Sequence, residues 1–445
     1  MTFTGAEIAA ATGGVLHADG PSGPILTDTR RLHAGAWFLA LRGDRFDGHE
    51  FLAHAEAAGC AGVIVEEVPE GWPLGAVRVG DTLLALQDCA ASVRADLQVP
   101  VVGITGSAGK TTTRAMVAEV LAAKGRVHQT QGNLNNHIGV PLTLLALSPD
   151  IDVLVVEMGM SAPREIHVLQ DIAAPPHRLI TNVSAAHLEG TGSIAGVATC
   201  KQELFDGARP GDVLLVNDDD PYVRAMPHPE GVRVVRYGSE PGVDVRLIHV
   251  QLDLARLHTL VQLEVKGEPL TVRVPSPGRH LALNACAAAA VGWTLGVSTD
   301  DIAAGLANYQ PVGMRMRVEQ RGGITVINDA YNANPASTEA ALRTLAAIEG
   351  RRRIALLGDM LELGSGEDEA HRAAVELAAS LGLERVGLTG PRLGAHAQIV
   401  PGAWVANDSD ELARLLEGEL REGDVVLIKG SRGMRMERSL KERGS

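Results

Sequence analysis

The apolar positions change rhythm along the chain. Up to about residue 82, short apolar runs at 62–65 and 76–79 alternate with glycine-rich turns, and residues 51–58 have helical spacing. This pattern predicts a small mixed α/β unit. Residues 82–97 keep a helical spacing with few breakers and stop before Pro100, which predicts a connecting helix.

From residue 101 the rhythm becomes strand, turn, helix. Apolar runs at 101–105, 152–156, 178–182 and 212–216 alternate with helical segments at 111–123, 163–172 and 194–208. Such alternation predicts a parallel sheet covered on both faces. Between 243 and 274 a period of two predicts antiparallel strands, and an Ala-rich helix follows at 281–295. After a break at 311–313, strands at 324–327, 354–357, 385–388 and 425–428 alternate with helices at 336–348 and 370–381. The expectation is an α/β protein of three domains: a small mixed N-terminal domain (1–82), a central doubly wound domain (83–310) and a C-terminal Rossmann-like domain (311–445).

Composition narrows the function classes. The net charge is −14, and no basic run is longer than the three arginines at 351–353. A nucleic-acid partner is therefore not expected. Cys60, Cys89, Cys200 and Cys286 lie no closer than 29 residues apart, so zinc spacing is absent and reduced, buried thiols are expected. No apolar run approaches the ~20 residues of a membrane span, and no Arg or Lys precedes Arg30. A cytoplasmic chain without a membrane span is expected. Only six of the 40 basic residues are lysines. Where charge alone is needed this sequence uses arginine, so each lysine raises the question of whether an amine is required.

The apolar run 101–105 leads directly into Gly106-Ser107-Ala108-Gly109-Lys110-Thr111-Thr112. A buried strand, a glycine-rich turn and a helix form the setting of a phosphate loop, in which backbone N–H groups and a helix N-terminus meet phosphate oxygens. Lys110 is expected to reach the β/γ-phosphates and Thr111 to offer its hydroxyl to Mg²⁺. The strict motif would have glycine where Ile104 stands, so the loop is the variant T-G-x-x-G-K-T-T. The central domain is thus of P-loop type. A second apolar strand ends in Glu157, at the sheet edge where the phosphate loop lies, and hard-oxygen chemistry makes it a candidate Mg²⁺ ligand. His187 follows another strand end at that edge. Lys201, taken alone, reads as an exposed helix lysine.

Together these segments resemble the ATP-dependent Mur ligases of peptidoglycan synthesis, in order along nearly the whole chain. The resemblance rests on Asp28-Thr29-Arg30, the 35–43 segment and Asp47-Gly48-His49, then on the phosphate loop and the 131–143 segment with its Asn133 and Asn136. It continues through the Glu157 strand, the His187 turn, the Lys201 helix, the 279–285 segment, the 329–335 segment and the 427–432 segment. Leu281 replaces the first Asn of the family's H-N-x-x-N-A motif, while Asn284 keeps the second. The 132–143 and 157–160 segments, with Asp-Ala-Tyr-Asn-Ala-Asn-Pro at 329–335, point to the member that adds a dipeptide rather than a single amino acid.

The resemblance implies a reaction joining D-alanyl-D-alanine to UDP-N-acetylmuramoyl-tripeptide through an acyl phosphate, with ATP and Mg²⁺. It implies that Lys201 is carbamylated and ligates Mg²⁺ with Thr111, Glu157 and His187. It implies adenine, phosphate and ribose contacts from Asn284, Arg315 and Asp329, with Tyr331 beside the nucleotide. Asp28, Thr29, Arg30, His49, Asn133 and Asn136 are expected at the UDP substrate, and Asn332 and Asn334, with the 357–360 loop, at the dipeptide. A monomer is expected. Two rivals remain at this point: a folylpolyglutamate-type or amino-acid-adding ligase, and a P-loop switch without an acceptor amine. A GTPase would need N-K-x-D, and no Asn-Lys pair occurs.

Overall fold

The computed structural model describes residues 1–43, 46–186, 188–349 and 351–440. The chain forms two compact units. One comprises residues 1–103, 125–160 and 164–177; the other comprises 104–124, 161–163 and the chain from Arg178 onward.

In the first unit a five-stranded sheet has the order Val15–Ala18, Gly75–Arg78, Gly62–Val65, Trp37–Leu39, Ile25–Leu26. Only the first strand runs antiparallel to its neighbour. Phe38, Val63, Val65 and Ala76 pack with Leu52 and Ala55 of the helix Leu52–Ala57. The same unit holds the strand Val127–Gln129, parallel to Val153–Glu157. The helix Thr82–Asp96 is more than a connector. Asp81 caps its first turn, and it packs on the helices Gly5–Thr12, Gly139–Leu145 and Glu165–Ala173. Arg94 reaches across to the carbonyls of Ala173 and Ala174, satisfying the end of the last of these helices.

The second unit contains two sheets. One has the order Glu268–Val274, His258–Val265, Val245–Asp253, Arg233–Gly238, Val213–Asn217, His177–Ile180. Its first three strands form the antiparallel meander expected from the period of two, and Arg233–Gly238 runs parallel to both Val245–Asp253 and Val213–Asn217. The helix His280–Thr294 packs on this sheet and on the helix Lys110–Leu121. Its four successive alanines, Ala287 to Ala290, are buried, and small side chains there let the elements approach closely. The other sheet has the order Arg317–Arg321, Ile324–Asp329, Val425–Lys429, Arg353–Gly358, Arg385–Thr389, Trp404–Ala406, parallel except for the first hairpin. Apolar residues of the helices Pro335–Ala346 and Glu367–Ser380 fill one face, and those of Ser409–Leu415 the other. The ends of Ile324–Asp329, Val425–Lys429 and Arg353–Gly358 are neighbours, so the loops after them emerge together at one edge.

All four cysteines are buried and unpaired with one another. Among the described residues, no helix is long and apolar enough to cross a membrane.

Candidate active site

The phosphate loop is a backbone construction that requires its glycines. The strand Val101–Thr105 ends in Gly106, whose φ is +150°; a Cβ there would lie 1.8 Å from Thr181 Oγ1. Gly109 has a φ of +79°, and its Cβ would lie 2.7 Å from Asn284 Oδ1. Only glycine meets both the conformation and the crowding. The loop is laced to the turn after the neighbouring strand. Ser107 N donates to the Asn182 carbonyl at 2.9 Å and Ala108 N to Asn182 Oδ1 at 2.9 Å. In return Thr181 Oγ1 and Asn182 Nδ2 donate to the Ala108 carbonyl at 2.7 and 3.0 Å. Ser107 Oγ also accepts from Ser184 N at 3.0 Å. Lys110 opens the helix Lys110–Leu121, with its Nζ 2.8 Å from the Gly106 carbonyl. Thr111 and Thr112 are buried in the first turn.

Lys201 is where the sequence alone misleads. It sits on the helix Ile194–Asp206 but is 1% exposed, not a surface lysine. Burial, and then the nearby positive charge of Lys110, pull its pKa well below the ordinary lysine value. Its amine is thereby pushed towards the neutral form, the form that reacts with CO₂. Glu157 ends the strand Val153–Glu157 and is 2% exposed. Asn135 Nδ2 donates to its Oε1 at 2.9 Å, and its own backbone N donates to Thr130 Oγ1 at 2.9 Å. Asn135 is in turn fixed through its carbonyl, which accepts from Gly159 N at 2.7 Å. Residue type and spacing alone do not single out Asn135 within the 131–143 segment; its contact with Glu157 does. His187 lies outside the described residues. Among the described residues there is no group of three or more His, Cys, Asp or Glu poised for a metal. Taken singly, the Thr111 hydroxyl and the Glu157 carboxylate are hard oxygen donors of the kind Mg²⁺ takes.

The other predicted nucleotide residues are in the second unit. Asp329 Oδ2 pairs with Lys429 Nζ at 2.6 Å, and Lys429, 2% exposed, also donates to the Asn332 carbonyl at 3.1 Å. The Arg315 guanidinium lies 3.6 Å from the Tyr331 ring centroid, a cation–π contact. Asn284 stands against Gly109 of the phosphate loop. Asn334 caps the helix Pro335–Ala346, accepting from Ser337 N at 2.8 Å. Asp359, fully buried, accepts from Leu393 N and Arg392 N at 2.9 and 3.2 Å, so its carboxylate is held inside the fold. A cavity of about 540 Å³, lined in part by Leu252, Arg279, His280, Ala336 and Arg343, contains none of the predicted site residues.

In the first unit, Asp28 caps a short 3₁₀ turn and grips Arg30 Nε and Nη2 at 2.9 and 2.7 Å. Hydrogen bonds from the Arg30 side chain, then its backbone, hold the Asp28 carboxyl at about 2. Thr29 is the first residue of the turn. His49 has both ring nitrogens engaged, Nδ1 with Asp47 Oδ1 at 2.6 Å and Nε2 with Glu66 N at 3.0 Å, which assigns the proton to Nδ1. Asn136 Oδ1 accepts from Ile138 N and Gly139 N at 3.2 and 2.9 Å, and the Asn133 carbonyl accepts from Asn135 N at 2.8 Å.

Comparison with known proteins identifies the family. The Mur ligase middle domain matches residues 104–292, and the Mur ligase, glutamate ligase domain matches 314–432. The UDP-N-acetylmuramoyl-tripeptide–D-alanyl-D-alanine ligase of Bacillus subtilis is 36% identical over 433 residues, covering 94% of this chain and 92% of that protein. The crystal structure of MurF from Acinetobacter baumannii superposes with a TM-score of 0.90 at 31% identity, covering 98% of this chain and 97% of that one. MurF from Thermotoga maritima, solved in complex with ADP, gives 0.84 at 28% identity over 94% and 96% of the two chains. The chain belongs to the Mur ligase family, whose members form a peptide bond at the expense of ATP. Within the family it is of the type that adds D-alanyl-D-alanine to UDP-N-acetylmuramoyl-tripeptide, with the three-domain α/β fold of that type.

Proposed function

We propose that this chain carries out the ligation as a monomer in the cytoplasm, with domains at 1–82, 83–310 and 311–445 for the UDP substrate, ATP and the dipeptide. In the first step a carboxylate oxygen of the tripeptide attacks the γ-phosphorus and ADP leaves. In the second, the amine of D-alanyl-D-alanine attacks the carbonyl carbon of the acyl phosphate, loses a proton, and phosphate departs. Both partners of the first step are anionic, so the site must place positive charge between them.

The observation that carries this reading is the buried Lys201 with its depressed pKa, beside the charge of Lys110. A neutral amine plus CO₂ gives a carbamate and a proton; the side chain becomes an oxygen donor, which an arginine cannot do. Thr111, Glu157, His187 and the Lys201 carbamate are the proposed Mg²⁺ ligands. Bound there, Mg²⁺ would neutralise the phosphate oxygens as charge moves. Asn135 orients the Glu157 carboxylate for that task. Asn182 already engages the Ser107 and Ala108 amides, so phosphate oxygens meet Gly109 and the first turn, Lys110 to Thr112. Lys110 swings from the Gly106 carbonyl to the β/γ-phosphates. Asn284 borders the phosphates, Arg315 on Tyr331 supplies a further cation, and Asp329, fixed by Lys429, takes the ribose.

Asp28, Thr29, Arg30, His49, Asn133 and Asn136 are proposed at the UDP substrate. The hydrogen bonds of Asp28, His49 and Asn136 make their contribution one of shaping the backbone, with Arg30 able to exchange Asp28 for a phosphate. Asn332 and Asn334 are proposed at the dipeptide. The test is phosphate release with UDP-N-acetylmuramoyl-tripeptide and either D-alanyl-D-alanine or free amino acids. Release that requires the dipeptide supports the reading. Release with glutamate would favour the folylpolyglutamate-type rival, and release without any amine the switch.

A further inference from the structure

We infer that His371, which lies outside every motif above and 11 residues beyond Met360 of the 357–360 loop, is a positioning residue for the acceptor dipeptide. The inference rests on the reading of Asn332 and Asn334 as dipeptide residues. His371 lies in the first turns of the helix Glu367–Ser380 and is fully buried. Its Nδ1 is 2.6 Å from the Glu367 carbonyl and its Nε2 accepts from Met360 N at 2.9 Å. The partners fix the tautomer: Nδ1 carries the hydrogen and Nε2 a lone pair.

That lone pair has a specific task. The strand Arg353–Gly358 ends two residues before Met360, so the buried Met360 N–H has no strand partner, and an unpaired buried donor is costly. The imidazole supplies the acceptor and so sets the path of the 359–361 turn. Ser431 completes the clasp: its N donates to the Asp359 carbonyl at 3.1 Å, its Oγ accepts from Leu361 N at 2.9 Å and donates to the Ala333 carbonyl at 3.4 Å. The Met360 side chain then packs with Ala333, Leu363 and Ala374, and its sulfur meets Thr338 Oγ1 at 3.5 Å. Ala333 lies between Asn332 and Asn334. The chain of contact therefore runs from the His371 lone pair through Met360 to the segment assigned to the dipeptide. None of its links involves the phosphate loop.

The test is steady-state kinetics on His371→Leu, His371→Gln and Met360→Ala, together with hydroxylamine trapping of the acyl phosphate, which needs no dipeptide. His371→Leu keeps bulk but removes the acceptor; Gln offers an acceptor oxygen. The expected result is a rise in KM for D-alanyl-D-alanine of about tenfold in His371→Leu (~1.4 kcal/mol), with recovery to within about threefold in Gln. KM for ATP and the trapping rate should stay within about twofold. Met360→Ala, which leaves the hydrogen bonds in place, should raise the dipeptide KM as well, and it serves should His371→Leu fail to fold. An unchanged dipeptide KM in the folded variants, or a parallel rise for ATP, overturns the inference. Asn332→Ala separates the two readings. If it leaves the dipeptide KM unchanged, the site assignment is wrong; if it raises that KM while the His371 and Met360 variants do not, only the role of His371 is wrong.

Discussion

Replacing Gly106 by alanine separates the contribution of the loop backbone from that of Lys110. The residue has a φ of +150°, and a Cβ would stand 1.8 Å from Thr181 Oγ1 and 3.0 Å from Thr181 Cβ. Holding a non-glycine residue in such a region costs ~1–3 kcal/mol. The overlap cannot persist, and moving Thr181 aside takes its hydroxyl from the Ala108 carbonyl, which it meets at 2.7 Å. Losing that bond in a buried setting costs a further ~1–2 kcal/mol. The total, about 2–5 kcal/mol, is smaller than the ~5–15 kcal/mol stability of a typical folded protein. The variant should fold with a displaced loop, and nucleotide affinity should fall about 30-fold or more, since ~1.4 kcal/mol is a factor of ten. The assay is calorimetric titration with ADP and Mg²⁺, with circular dichroism to check folding, on Gly106→Ala, Thr181→Ala and the double variant. Thr181→Ala removes the atom the new Cβ would meet, so the double variant should bind better than additivity requires, by about 1–2 kcal/mol. A folded Gly106→Ala protein that binds ADP within twofold of the parent refutes the reasoning.

Lys201→Ala should lose nearly all phosphate release and recover part of it in acetate; full activity would remove Lys201 from the mechanism. The depressed pKa also makes a stability statement. As pH falls from the ordinary lysine range, the unfolded chain takes up a proton that the folded chain resists, so stability is lost as pH falls through that window. In CO₂-depleted buffer, Lys201→Met should therefore melt higher at neutral pH and show a flatter rise towards alkaline pH; an unchanged profile contradicts this. Asn135→Ala should raise the Mg²⁺ concentration for half-maximal activity about tenfold or more, because the Glu157 carboxylate loses its orienting donor; an unshifted Mg²⁺ curve contradicts that role. Asp359→Ala strips acceptors from two backbone N–H groups and should cost ~2–4 kcal/mol in urea unfolding. A loss below about 1 kcal/mol would show that the carboxylate is not holding the turn.

The elements most legible in the sequence are those whose burial is continuous. The strands Val101–Thr105, Val153–Glu157 and Val213–Asn217 are buried at every residue and read as unbroken apolar runs. The meander 245–274 showed itself by alternation, and the Gly-rich turn by its place between strand and helix. Short strands such as Trp37–Leu39 carry too few residues for a period to register. The helix Thr299–Asn308 carries a short local signal, Ser298 capping it through Asp301 N, a Ser-x-x-Asp pattern that marks its start.

At the site, residue chemistry was more legible than residue environment. Lys201 lies next to polar residues in sequence, but at helical spacing it shares a face with Val197, Leu204 and Phe205, all buried; the period that places it inside is legible once residue type is set aside. Asn135 meets Glu157 across 22 positions of sequence, a pairing no local pattern encodes. Asp28 and His49 look like ligand residues by type, yet their polar atoms are committed to Arg30, Asp47 and Glu66. Asp359 likewise serves the fold.

The most direct test of the proposed chemistry follows the oxygen atoms. With both carboxylate oxygens of the tripeptide terminus labelled with ¹⁸O, the purified protein, ATP, Mg²⁺ and D-alanyl-D-alanine should release phosphate carrying one ¹⁸O for each peptide bond formed. Unlabelled phosphate accompanying the ligated product would contradict an acyl-phosphate route at this site.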